Sequence, residues 1–179
     1  KLATGIAGHY TDVVNTAAKL CSESKSVPII GMGHLFTSNG KVNEGDGVRD
    51  LYVGTLQSID SGMFSDKFDY VALGHLHMAQ KVDNNDRIRY SGSPLPMSFT
   101  EADQQKKVIV VEFENQTVLV TEHDIPCFQK LLRVSGNFDS VKEKVTELSN
   151  MNENLWLEVE ILDSSSSGTI TEELDEIIK

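Results

Sequence analysis

Two short apolar runs end alike, and this pairing limits what the chain can become. PIIGMGHL carries the first and DYVALGHLH the second. Residues 27–32 and 69–74 are continuous apolar stretches, of the kind found in strands buried on both faces of a parallel sheet. Each stops at a Gly-His pair, so histidines stand at the carboxyl ends of strands, where open α/β sheets build their sites. A glycine before each histidine allows close backbone approach. The chain has only five histidines, and His34, His75 and His77 all fall at these two ends.

The spacing of His75 and His77 has a chemical meaning. In an extended chain, residues i and i+2 point to one face, with side chains starting roughly 6.5–7 Å apart at ~3.3 Å rise per residue. That suits two ligands converging on one metal, and equally one ligand to each of two metals ~3.5–4 Å apart. Imidazole serves zinc, manganese and iron. His34, from the other strand, completes the cluster. Taken singly, each reads as an ordinary strand-end histidine; together they read as a metal site. A carboxylate is missing, because no Asp-x-His or Gly-Asp strand ending lies upstream to bridge a metal pair. His9 and His123 read as surface or packing residues. No Ser/His/Asp or Cys/His nucleophile, phosphate-binding loop or dinucleotide fingerprint is present.

Around these runs the pattern is mixed α/β. Residues 3–24 predict a helix, with Ile6, Tyr10, Val13, Val14, Ala17, Leu20 and Cys21 on one stripe. Residues 39–47 form a polar glycine-containing loop, 49–59 return to partial periodicity, and 63–68 make a short helix or turn. Two hairpins follow: 80–82 with 87–91 around the turn 83–86, and 108–113 with 117–122 around 114–116. Pro126 marks a boundary. Beyond it come a strand at 128–134, a helix at 138–148, a strand at 155–162, a serine loop at 163–168, and a helix whose Thr169 and Glu172 have capping-box spacing. Trp156 is expected in the core of this small unit, and the acidic end 172–176 on a solvated helix face.

The net charge of −11 argues against a domain that clasps nucleic acid by bulk electrostatics, although bound divalent metals or a partner can supply positive charge. Cys21 and Cys127 match neither a disulfide framework nor a zinc spacing, and predict reduced thiols in a cytoplasmic protein. No apolar run reaches the ~18 residues of a membrane helix. The chain opens on Lys1 and not Met, which predicts a piece of something longer.

PIIGMGHL, VRDLYVGTL, FDYVALGHLH and RYSGSPLPMSF, in that order, resemble the calcineurin-like metallophosphoesterase superfamily. More narrowly they are similar to the SbcD nuclease subunits, bacterial relatives of the Mre-type DNA-repair nucleases. Gly-His-x-His followed by Tyr-Ser-Gly-Ser-Pro is the specific part. The resemblance implies the C-terminal half of a metallophosphoesterase α/β sandwich over residues 1–125, then a partial β-α-β capping lobe over 126–179. It implies two divalent ions, typically Mn2+, with His34 and His75 on one and His77 on the other. The family's Asp-x-His, bridging Asp and Asn-His motifs, the last of which assists the leaving group, are absent from this sequence. No catalytic residue is therefore assigned here, and the chain alone is expected to bind metal weakly and to be inactive. Metal affinity is expected to fall as the imidazoles protonate.

The implied parent is a DNA exonuclease and endonuclease of repair and recombination. It would work with an SbcC-type ATPase and form a homodimer through upstream helices. Two substrate-binding candidates have plainer alternatives. Ser93 could touch a phosphate or simply shape its turn. Arg49 could meet the DNA backbone or pair with Asp46 or Asp50. Two other functions fit the same residues: a metallophosphoesterase acting on small phosphodiesters or nucleotides, and a non-catalytic scaffold contacting DNA and the ATPase.

Overall fold

A computed structural model describes residues 2–22, 27–38, 59–114, 117–151, 153–163 and 170–178. Arg49, the glycine loop, most of the 49–59 segment, the hairpin tip 115–116 and the Thr169 cap lie outside the described residues. The chain forms two compact units, Lys1–Met97 with Gln104–Pro126, and Cys127–Lys179 with Ser98–Asp103. The short segment Ser98–Asp103 therefore groups with the second unit.

In the first unit, helix α1 (Leu2–Cys21) precedes strands β1 (Ile30–His34), β2 (Tyr70–Gly74), β3 (Gln80–Val82) and β4 (Asn85–Tyr90). They form one sheet in the order β1-β2-β4-β3, parallel except for the β3–β4 hairpin. The start of the β1–β2 pair is locked by Asp69, whose N–H bonds the Ile29 carbonyl at 2.8 Å and whose carboxylate accepts the Ile29 N–H at 2.7 Å. The β3–β4 turn is tighter than expected. Val82 pairs with Asn85, and only Asp83 and Asn84 lie between them, both with positive φ (52° and 56°). That is the two-residue turn whose twist matches a hairpin, and Asp and Asn tolerate its left-handed backbone.

The core lies on one face of the sheet, where Val71, Leu73, Ile88 and Tyr90 meet Val14, Phe64 and Phe68. Two expectations are corrected here. β1 is not buried on both faces: Ile30 is 48% exposed and Met32 76%, because among the described residues only its Gly31/Gly33 face is covered. On α1, Val14 is buried with Tyr10 packed beside it, whereas Val13 and Leu20 face outward. Glycines on β1 explain this packing. A side chain at Gly33 would collide with the Tyr10 hydroxyl, which donates to the Met32 carbonyl at 2.9 Å.

The second hairpin, β5 (Lys107–Glu114) and β6 (Thr117–Asp124), is tied to the sheet through Arg89. This arginine is 3% exposed and bonds Glu122 on β6 and Asp86 at 3.1 Å. In the second unit, β7 (Lys130–Gly136) and β8 (Leu155–Ile161) pair in parallel under α2 (Phe138–Asn150) and α3 (Ile170–Ile178). Asn137 caps α2 by accepting the Ser140 N–H at 2.9 Å. Val141, Val145 and Leu174 form the core with Leu157, Val159 and Ile161. Strand alternation puts Trp156 on the other face, in register with Leu131, so it is 63% exposed and not a core residue. No helix among the described residues is long and apolar enough to cross a membrane.

The Arg89 tie has a pH signature. Glu122 accepts a hydrogen bond from Lys107 at 2.8 Å and another from Arg89, and these hold its carboxyl below the ordinary 4.5 against a smaller upward push from burial. A lowered folded-state value means stability present above 4.5 and lost as pH falls through the folded value. Glu122→Ala should lower stability at pH 7 by roughly 1–3 kcal/mol and flatten the acid limb of melting temperature against pH. An unchanged acid limb would show that this tie does not control it.

Candidate metal centre

The parallel register sets His34 of β1 beside Gly74 of β2. A Cβ on Gly74 would stand 3.0 Å from His34 Nδ1, so this glycine makes room for the neighbouring strand's imidazole. The next residue, His75, has φ of 111°, a left-handed value that costs a β-carbon-bearing residue of order 1–3 kcal/mol. β2 ends before it, so extended-strand alternation does not govern the His75/His77 pair. A different constraint does: Leu76, between them, is buried in the sheet core and pins the loop from below.

The outcome is a close pair of rings. The His34 and His75 centroids are 5.3 Å apart at 73°, and Phe36 lies 5.9 Å from His75. With metal–nitrogen bonds of about 2.0–2.1 Å, two imidazoles on one ion place their centroids within roughly 6 Å. The pair thus fits two positions of a ligand set. It does not complete one, because the described residues contain no group of three or more His, Cys, Asp or Glu that could hold an ion. The segment leaving β1 is held by Tyr90, whose hydroxyl donates to the Leu35 carbonyl at 2.6 Å and accepts the Thr37 N–H at 3.0 Å. Burial pushes the Tyr90 phenol up from 10.0, so it stays protonated and able to donate at neutral pH. From sequence, Tyr90 has no role beyond its place in the Tyr-Ser-Gly-Ser-Pro motif; its signal was a tyrosine alternating with Ile88 directly before the turn-rich SGSP.

Ser91-Gly92-Ser93-Pro94 lies against the loop, as its turn chemistry suggested. Gly92 has φ of 78°, and a Cβ there would sit 2.6 Å from the His77 carbonyl and 2.8 Å from the Ala79 nitrogen. Ser93 donates its N–H to that same carbonyl at 3.0 Å, and its hydroxyl lies 3.4 Å from it. The Ser93 hydroxyl is thereby engaged with the loop backbone. Arg49 falls outside the described residues, and His9 and His123 are exposed away from this pair in sequence and on other elements.

Residues 127–179 match the SbcD C-terminal family, described as the Type 5 capsule protein repressor C-terminal domain. The chain is 35% identical over 156 residues to the SbcD subunit of the nuclease SbcCD from Escherichia coli K12, covering 86% of this chain and 37% of that protein. It is 36% identical over 123 residues to the SbcD subunit from Staphylococcus epidermidis ATCC 12228, covering 68% and 32%. The Staphylococcus saprophyticus SbcD subunit is 39% identical over 119 residues, covering 65% and 30%. The chain spans about a third of the length of these curated relatives, in their C-terminal part, and is related to the SbcD subunits.

The backbone at His75 is directly testable. His75→Gly should be more stable than His75→Ala by about 1 kcal/mol in denaturant titration, since both lose the imidazole but only alanine keeps the left-handed strain. Equal stabilities would show that the loop relaxes and stores no strain there.

Proposed function

We propose that this SbcD-related chain forms the C-terminal part of a metal-dependent DNA nuclease subunit. On this reading the first unit is half of a metallophosphoesterase α/β sandwich and the second a partial capping lobe. The observation that carries it is the His34–His75 ring pair at the carboxyl ends of adjacent parallel strands, in a chain whose relatives are named nuclease subunits. His34 and His75 would hold one divalent ion and His77 a second, and Mn2+ would suit the site once the rest of the subunit adds carboxylate oxygens to these imidazoles. When bound, two such ions supply Lewis acidity and activate water for in-line attack on a phosphodiester.

The chain's own residues do the positioning. Gly74 clears the space for the His34 ring, and Leu76 anchors the peptide that carries both loop histidines. Tyr90 fixes the exit from β1, which limits how far His34 can swing. The remaining ligands, the leaving-group histidine and the dimer-forming helices belong to the rest of the subunit, and ATP dependence to an SbcC-type partner. Placement in the cytoplasm and action in DNA repair and recombination follow from the same reading. Alone, the chain binds metal weakly and does not cleave DNA.

The test is Mn2+-dependent cleavage of linear duplex DNA and of a small chromogenic phosphodiester. It compares the full-length subunit that carries this sequence, its His34→Ala and His75→Ala variants, and this chain alone. The full-length subunit should cleave both substrates, each variant should lose at least about 100-fold in rate, and the chain alone should be inactive. Cleavage of the small diester only would replace the nuclease by a small-substrate phosphodiesterase. Full activity in both variants would remove the histidines from the site.

A further inference from the structure

Lys106 is 6% exposed, a depth lysines almost never reach unless their ammonium is paired. Its Nζ donates to the His77 carbonyl at 3.2 Å, to Ser93 Oγ at 3.1 Å and to Gln104 Oε1 at 2.9 Å. Ser93 donates to that same carbonyl through its N–H, and Gly92 passes so close that any side chain would displace it. Two remote segments thus converge on one peptide group. An apolar side chain of similar length would fill this space but could not donate to these acceptors.

We propose that Lys106 is a positioning residue for His77. With Ser93 and Gly92 it fixes the peptide from which the His77 imidazole is presented. The inference rests on the reading of His77 as a metal ligand. The neighbouring strain supports it. A left-handed His75 persists only if the surrounding structure over-determines the loop. Leu76 in the core holds one point and the clamped His77 carbonyl holds the next. Outer groups that orient ligands in this way are worth roughly 10- to 100-fold in metal affinity or activity.

The experiment uses the full-length subunit with Lys106→Met, Ser93→Ala and, as comparator, Arg89→Met. The comparator removes an equally buried cation whose partners are Asp86 and Glu122. Three quantities are read: the imidazole nitrogen NMR signals of His77 and His34 without metal, the Mn2+ affinity, and kcat and KM on duplex DNA. Lys106→Met should move the His77 signals and not those of His34, weaken Mn2+ binding or kcat about 10- to 100-fold, and leave KM unchanged. Ser93→Ala should shift the same signals less, and it carries the test if Lys106→Met melts below the assay temperature. Arg89→Met should leave the His77 signals in place. Unmoved His77 signals in both clamp variants, or equal movement in Arg89→Met, would overturn the proposal. Absence of Mn2+ binding and cleavage in the unsubstituted subunit would instead sink the nuclease reading, while the metal-free His77 signals would still report on Lys106.

Discussion

The parallel pairing of β1 with β2 is the constraint on which the candidate site depends. Its register sets His34 opposite Gly74, where an added side chain would crowd the His34 ring at 3.0 Å. A one-residue slip would send His34 to the α1 face, since alternate residues point to opposite sides. The register is protected at the other end of the strands by the two bonds between Ile29 and Asp69, and along β1 by the approach of Tyr10 over Gly33. The glycines of the two Gly-His endings therefore do different work. One admits a helix and the other admits a ring from the next strand.

From that edge the loop continues under load. His75 takes a backbone conformation that a glycine would adopt freely, in the residue whose imidazole stands beside His34. The strain is countered from two sides. Leu76 contributes burial, and the His77 carbonyl is held by donors from the SGSP turn and from Lys106 just before β5. The turn-rich segment after β4 is thus a brace for the histidine loop, and its left-handed glycine is required by close approach as well as by φ.

Much of this was legible from local signals. The apolar runs located β1 and β2, the Gly-His endings brought His34 and His75 to one sheet edge, turn residues marked the first hairpin and alternation the second. What failed were inferences about which face is covered. Ile30 and Met32 are apolar and exposed, and Trp156 is exposed because strand parity, not hydrophobicity, decides its side. The H-x-H argument assumed an extended chain, whereas the loop turns at His75 and is pinned by the residue between the histidines. Tyr90 and Lys106 were missed because their roles exist only across distances of 53 and 29 residues. No local period encodes such bonds.

Charge bears on the proposed function in the same physical terms. A net charge of −11 repels a polyanion at long range, which argues against bulk electrostatic attraction as the basis of the proposed DNA contact. On the proposed reading, attraction is confined to the sheet edge, where bound divalent ions are the largest local charges. Lys106 does not substitute for them, because its ammonium is buried and engaged with the loop. On that reading, contact with phosphate is conditional on metal occupancy, and binding and cleavage depend on the same imidazoles.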